Sequence, residues 1–299
     1  MNRLVESRSF FNRYFDSVYV LNVPALPRRR ISVTWQMRNL GIGFEFVEGI
    51  DASVASAEEI KDAFRIRGKS PHPPYLLAAE FPDLETLRAE MSRSQTNPGL
   101  VLTPGRLCCG LGHLMVMERM IADGAKRALI LEDDIVFADH ADEILRECAR
   151  ELEGAPIHGN WDLVLFGSGY VLAETTPWQD RPNLRPWAGV MAAGQPGRAG
   201  GRSRILGPDG SPLEHIFIGH REWHGTHCYA VSERCARFLV SVPMMVNADG
   251  LLAQAGKSAA GGFEVHISHP FLAYQCGDPS YIDRVDPQAL GFGRKDVYA

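Results

Sequence analysis

Three consecutive carboxylates, Glu132, Asp133 and Asp134, follow the apolar run Ala128-Leu-Ile-Leu131. Hard divalent cations prefer such oxygen donors and complete their coordination with substrate phosphates. A cation held there would neutralise a departing nucleoside diphosphate, as removal of a sugar from a nucleotide requires, and acids after a strand also suit phosphoester or nucleotidyl chemistry. The absence of a glycine-rich phosphate loop weakens the nucleotidyl alternative. An acidic turn or a helix N-cap would produce the same tripeptide. Histidines form a second set of candidates: His224 and His227 around Gly225-Thr226, and His266 and His269 around Ser268. Either pair offers a neutral imidazole to a cation, but a spacing of three on a strand sends the members to opposite faces. At most one of each pair serves, and His269 is the candidate metal ligand. Trp178, Trp187 and Trp223 either stack on sugar rings or anchor loops.

These groups need a frame, and the apolar patterning supplies an α/β one. Ser17-Val-Tyr-Val-Leu-Asn-Val23 reads as a buried strand ended by Pro24, Ile31 to Leu40 as a helix stopped by Gly41, and Phe44-Glu-Phe-Val47 as a second strand. A strand–helix–strand order points to a parallel sheet. Thr103 as N-cap and Pro104 at the first helical position begin an apolar helix that runs to about Ala122 and stops at Gly124. His113 sits in its interior, where a hydrogen-bonded structural role is the plainer alternative to a functional one. Further strands are expected at 128–131, at Trp161-Asp-Leu-Val-Leu-Phe166, at His227-Cys-Tyr-Ala-Val231, and as a pair around Pro270 between Phe263 and Tyr274. Ile144 to Leu152 and the segment from Ser232 to Ser241 read as helices. In an open α/β sheet ligands bind beyond the carboxyl ends of strands, where the three acids fall. Segments 52–100 and 167–223 read as variable loop excursions of a single domain spanning 1–299.

The chain as a whole narrows the classes. With 299 residues, 45% hydrophobic and 22% charged, it can bury a sizeable core. A net charge of −5 with dispersed basic residues excludes an electrostatic footprint for nucleic acid. The six cysteines include no CxxC pair, which fits reduced thiols and leads us to expect no structural zinc. No signal-peptide core and no run of about 18 apolar residues is present, so the expected location is cytoplasmic, with any contact at the inner face of a bacterial membrane peripheral.

Seven pieces in order resemble glycosyltransferase family 25, the group that includes lipooligosaccharide galactosyltransferases and collagen galactosyltransferase domains. They are Val18-Tyr-Val-Leu-Asn-Val23 before the arginines 28 to 30, Phe46-Val-Glu-Gly-Ile-Asp51, Leu102-Thr-Pro-Gly-Arg-Leu-Cys-Cys-Gly-Leu-Gly-His-Leu114, Ala128-Leu-Ile-Leu-Glu-Asp-Asp-Ile135, Trp161-Asp-Leu-Val-Leu165, Gly225-Thr-His-Cys-Tyr-Ala-Val-Ser232, and Pro243 to Asp249 followed by Leu251-Leu252. The resemblance implies a GT-A type fold, a UDP-sugar donor, Mn2+ or Mg2+, inversion at the anomeric carbon, and a glycan or glycolipid acceptor such as lipopolysaccharide. It implies Asp134 as direct metal ligand, with Glu132 and Asp133 on ribose or metal. Asn22 would lie near the base, one of Arg28 to Arg30 (Arg28 and Arg30 the candidates) near the phosphates, Asp51 near the uridine, and His113 near the donor site. Asp249 would be the general base, while Gln275 and Asp278 match a stretch near the acceptor cleft. Where the family commonly reads Thr-Pro-Gly-Glu-Ile-Gly-Cys-x-x-Ser-His, this chain has Arg106 for the Glu, Cys108 for the Gly and Gly112 for the Ser. Those departures leave room for a non-catalytic relative, and a peptide or natural-product acceptor is a further alternative.

Overall fold

The computed structural model describes residues 9–72, 75–96, 100–154, 161–167, 204–206, 212–218, 225–257, 262–268 and 270–275. Its centre is an eight-stranded mixed sheet. In chain order the elements that build the sheet and its surroundings are α1 (Phe11–Tyr14), β1 (Ser17–Asn22), α2 (Pro27–Asn39), β2 (Glu45–Glu48), α3 (Ala57–Arg65), β3 (Ser70–Pro71), β4 (Leu76–Leu77), α4 (Leu84–Ser94), β5 (Val101–Leu102), α5 (Pro104–Ala122), β6 (Arg127–Glu132) and β7 (Ile135–Phe137). They continue with α6 (Ala141–Gly154), β8 (Leu163–Leu165), β9 (Arg204–Leu206), β10 (Pro212–Ile218), β11 (Cys228–Ser232), α7 (Glu233–Ser241), β12 (Met244–Met245), α8 (Ala248–Lys257), β13 (Val265–Ser268) and β14 (Ala273–Gln275).

The sheet order is β2-β1-β6-β11-β8-β13-β10-β9. β1 runs parallel to β2 and β6, β11 is antiparallel to β6 and β8, and β13 is parallel to β8. Alternation along the central strands divides the core between the two faces. Tyr19, Leu21, Ile130, Leu165 and Tyr229 pack with α5, α7 and α8, whereas Val18, Val20, Leu129, Leu131 and Val164 pack with α1, α2 and α6. Both faces are covered, which is why these strands read as continuous apolar runs. This is the helix-flanked mixed sheet of a GT-A-like fold.

Thr103 accepts a hydrogen bond from the Arg106 amide, and Gly124 leaves the helix at φ +72°, so α5 starts and stops where the sequence indicates. Two elements depart from expectation. α2 begins at Pro27 rather than Ile31, because proline at the first position is preorganised for a helix; the three arginines therefore occupy its first turn instead of a loop. The strands around Pro270 do not pair with each other. Both edges of β13 are already taken by β8 and β10, so β14 pairs with β7. In the excursion at 52–100, Ser56 and Glu59 form a capping box on α3, β3 pairs with β12 and β4 with β5.

Candidate active site

β1 and β6 end side by side, with Leu21 opposite Glu132. That register sets Asn22 against the acidic turn, and its side-chain amide donates to Asp133 Oδ2 at 2.7 Å. The arginine that reaches the acids is Arg29. Its Nη1 lies 3.1 Å from Asp133 Oδ1 and 3.3 Å from Asp134 Oδ2. Arg30, stacked 4.1 Å over the Phe46 ring, donates to Asn22 Oδ1 at 3.2 Å, while Arg28 is exposed. On the other side, the β7–β14 ladder places Gln275 across from Ile135, and Gln275 Nε2 donates to Asp134 Oδ2 at 3.0 Å. A polar chain thus runs Arg30, Asn22, Asp133, Arg29, Asp134, Gln275.

Glu132 faces a different set of partners. The Thr226 hydroxyl donates to its Oε1 at 2.6 Å, and His113 Nε2 stands 3.4 Å from the same atom. His113 is itself held by a 3.0 Å contact between Nδ1 and the Tyr229 hydroxyl. These environments drive the acids apart. Burial opposes the charge on Glu132, but His113 and Thr226 more than offset it and hold the carboxyl down at about 2. Burial and the neighbouring Glu132 charge push Asp134 up to about 7. Burial also raises Asp133, against the pull of Asn22 and Arg29. His227 is buried, which disfavours its charged form despite Glu132. Asp134 Oδ1 is buried with no hydrogen-bond partner among the described residues.

The cleft over this turn has an apolar wall of Leu21, Val23, Leu26, Ile50 and Ala52, a floor of Gly105, Cys108 and Cys109, and a charged end of Arg29, Asp51 and the three acids. Asp51 is fixed as an Asx turn, accepting from the Ser53 amide at 2.8 Å. Asp249 is set in the first turn of α8, where Oδ1 accepts from the Gly225 amide at 2.9 Å; it is not part of the cleft wall. Arg106, in place of the family's Glu, donates from Nη1 to the Val101 carbonyl at 3.2 Å. His269, His224, Asp278 and the three loop tryptophans lie outside the described residues.

The structure therefore brings Asp51 and the three acids to one cleft, sets Asn22 and His113 against the acids and Arg30 against Asn22, and leaves Arg28 on the surface. Arg29, Thr226 and Tyr229 are the additions. A helix phase counted from Pro27 could have singled out Arg29; Thr226 and Tyr229 lie in the Gly225–Ser232 stretch that carries the resemblance, but their types alone signal no contact to the acids.

An acidic cleft at the carboxyl ends of β1 and β6, in a helix-flanked mixed sheet, defines an α/β protein with a GT-A-like fold. The chain belongs to glycosyltransferase family 25: the model of that family, described as "Glycosyltransferase family 25 (LPS biosynthesis protein)", matches residues 15–164. It is 26% identical over 161 residues to a "Glycosyltransferase 25 family member" of Aedes aegypti, covering 54% of this chain and 22% of that protein. It is 25% identical over 163 residues to the mouse "Inactive glycosyltransferase 25 family member 3", covering 54% of this chain and 23% of the relative. An Anopheles gambiae family member is 34% identical over 79 residues, 26% of this chain and 13% of its own length. The chain thus spans about a quarter or less of these relatives. No helix among the described residues is long and apolar enough to cross a membrane.

Proposed function

We propose that the protein is an inverting glycosyltransferase that moves a hexose, galactose first among the candidates, from a UDP-sugar to a glycan or glycolipid acceptor such as lipopolysaccharide. The observation that carries this reading is Asp134 Oδ1, a buried carboxylate oxygen without a hydrogen-bond partner among the described residues, in a row of acids at the strand ends. An orphaned buried acceptor is costly, and it is the donor type a hard cation takes. Asp134 and Glu132 would hold Mn2+ or Mg2+, with His269 as a further candidate ligand. The cation would supply charge neutralisation for the departing diphosphate.

The chain's own residues do the rest. Asn22 and Arg29 orient Asp133, the candidate contact to the ribose, and Asp51 is the candidate contact to the uridine. Arg29 shields the Asp133–Asp134 repulsion and is the guanidinium nearest the phosphates. The apolar wall from Leu21 to Ala52 excludes water from the donor, which limits hydrolysis. Asp249, held by the Gly225 amide, is the candidate base for the acceptor hydroxyl. We read 1–299 as one catalytic domain working in the cytoplasm, with peripheral contact at the membrane.

UDP with Mn2+ at 100-fold over Kd is expected to stabilise the fold by about 2.7 kcal/mol, and Asp134→Ala to abolish this. Asp249→Asn should keep UDP binding while sugar transfer falls by about 100-fold or more. A folded protein that ignores UDP and Mn2+ overturns the proposal. Because the mouse relative is named inactive, a binding-only role is the second reading. UDP binding without donor hydrolysis or transfer would establish it.

A further inference from the structure

The cysteine spacing leads to no expectation of zinc, yet α5 carries a soft-donor arrangement of another kind. Cys109 and His113 stand four residues apart on this helix, on one face. Glu132 meets that face from the end of β6, and one donor atom from each residue, the Cys109 sulfur, a His113 ring nitrogen and a Glu132 oxygen, all lie within 4.8 Å of one another. His113 is fully buried. With Nδ1 against the Tyr229 hydroxyl at 3.0 Å, Nε2 is the nitrogen left for the cluster. Its 3.4 Å approach to Glu132 Oε1 is an ion-pair distance without hydrogen-bond alignment, so Nε2 has no hydrogen-bond partner among the described residues.

We propose that Cys109, His113 and Glu132 form a binding site for a borderline-soft divalent cation of the Zn2+ type, distinct in its donors from the hard-cation position at Asp134 and sharing Glu132 with it. Thiolate and imidazole select zinc over magnesium or manganese, and three protein ligands leave a fourth position open. Cys109 and Glu132 line the cleft, which gives an ion its entry path. Tyr229 and Thr226 already do what partners of metal ligands do: one fixes the imidazole ring and the other fixes the carboxylate. Binding exchanges the Cys109 thiol proton for a sulfur–metal bond and releases that proton to solvent. The site shares Glu132 with the proposed activity but does not rest on it, and it would exist in a chain that transfers no sugar.

Co2+ serves as the spectroscopic probe. Titrated into the metal-free full chain, it should give tetrahedral visible bands and a near-ultraviolet thiolate charge-transfer band, both displaced by equimolar Zn2+. Cys109→Ser should remove the charge-transfer band and weaken Zn2+ binding by about 10-fold or more, and Tyr229→Phe should weaken it with the band retained. Cys108→Ser and Asp134→Asn should leave the band in place. X-ray absorption on the zinc-loaded wild-type chain, which needs no variant to fold, should show one sulfur among nitrogen and oxygen scatterers. A shell without sulfur, no charge-transfer band, or a band that survives Cys109→Ser overturns the site. UDP binding does not depend on the Cys109 sulfur, so the two proposals fail separately.

Discussion

Gly112 stands where the family carries serine, and its neighbour explains what would follow from restoring it. A Cβ on Gly112 would sit 2.9 Å from both Leu21 methyl carbons, against about 3.5–4.0 Å for carbon atoms at rest. Leu21 is almost fully buried in the cleft wall, so Gly112→Ser must push its methyl groups aside, towards the cleft. Overpacking of this size costs about 1–3 kcal/mol, and the better helix propensity of serine recovers roughly 0.5. The net loss should be about 1–2 kcal/mol, with weaker UDP binding because the wall moves. Leu21→Ala alone should cost about 2–3 kcal/mol through lost burial and a cavity. In the double variant the serine enters the space the leucine vacates, so the losses should fall short of their sum by about 1 kcal/mol or more. Urea unfolding of the parent, both single variants and the double variant measures this. A neutral or stabilising Gly112→Ser, or single losses that add within about 0.5 kcal/mol, refutes the steric pairing.

Asp134 gives a pH-dependent prediction. Its folded pKa is raised to about 7, so without divalent cation its ionisation opposes folding increasingly as pH rises from about 4 to 7. Asp134→Asn should then exceed the parent in metal-free stability at pH 8 by up to about 4 kcal/mol, the difference vanishing near pH 4. Denaturant titrations across that range check it, and a parent that is the more stable at pH 8 contradicts it. Asp162 predicts a structural defect away from the cleft. Buried between β8, β11 and β13, it accepts from the Ser232 hydroxyl at 2.8 Å, Arg234 Nε at 3.0 Å and the Glu264 amide at 3.0 Å. Asp162→Ala should cost about 3 kcal/mol in urea unfolding and leave UDP affinity in the refolded fraction unchanged; a loss under about 0.5 kcal/mol would refute that role.

What could be read directly were features whose cause is local. Ala128-Leu-Ile-Leu131 is buried on both faces and had to appear as an unbroken apolar run, so the acids after it marked a strand end. Thr103, Pro104 and Gly124 bracket α5 because capping and left-handed backbone are properties of single residues. Arg29 was not singled out because successive helical residues differ by about 100° in direction, and the inward phase follows only once the helix is known to start at Pro27.

The sequence by itself determined the α/β alternation, the position of Glu132, Asp133 and Asp134 at a strand's carboxyl end, and the family. Tertiary structure alone decided how those acids differ. Gln275 reaches Asp134 across 141 residues of chain because β14 found its free edge at β7. His113 on α5 and Tyr229 on β11, 116 residues apart, meet through Nδ1 and leave Nε2 facing Glu132. Two carboxylates two residues apart are held at about 2 and about 7 by burial, by these distant contacts and by each other's charge, because ionisation responds to the charge, hydrogen bonds and solvent around a group.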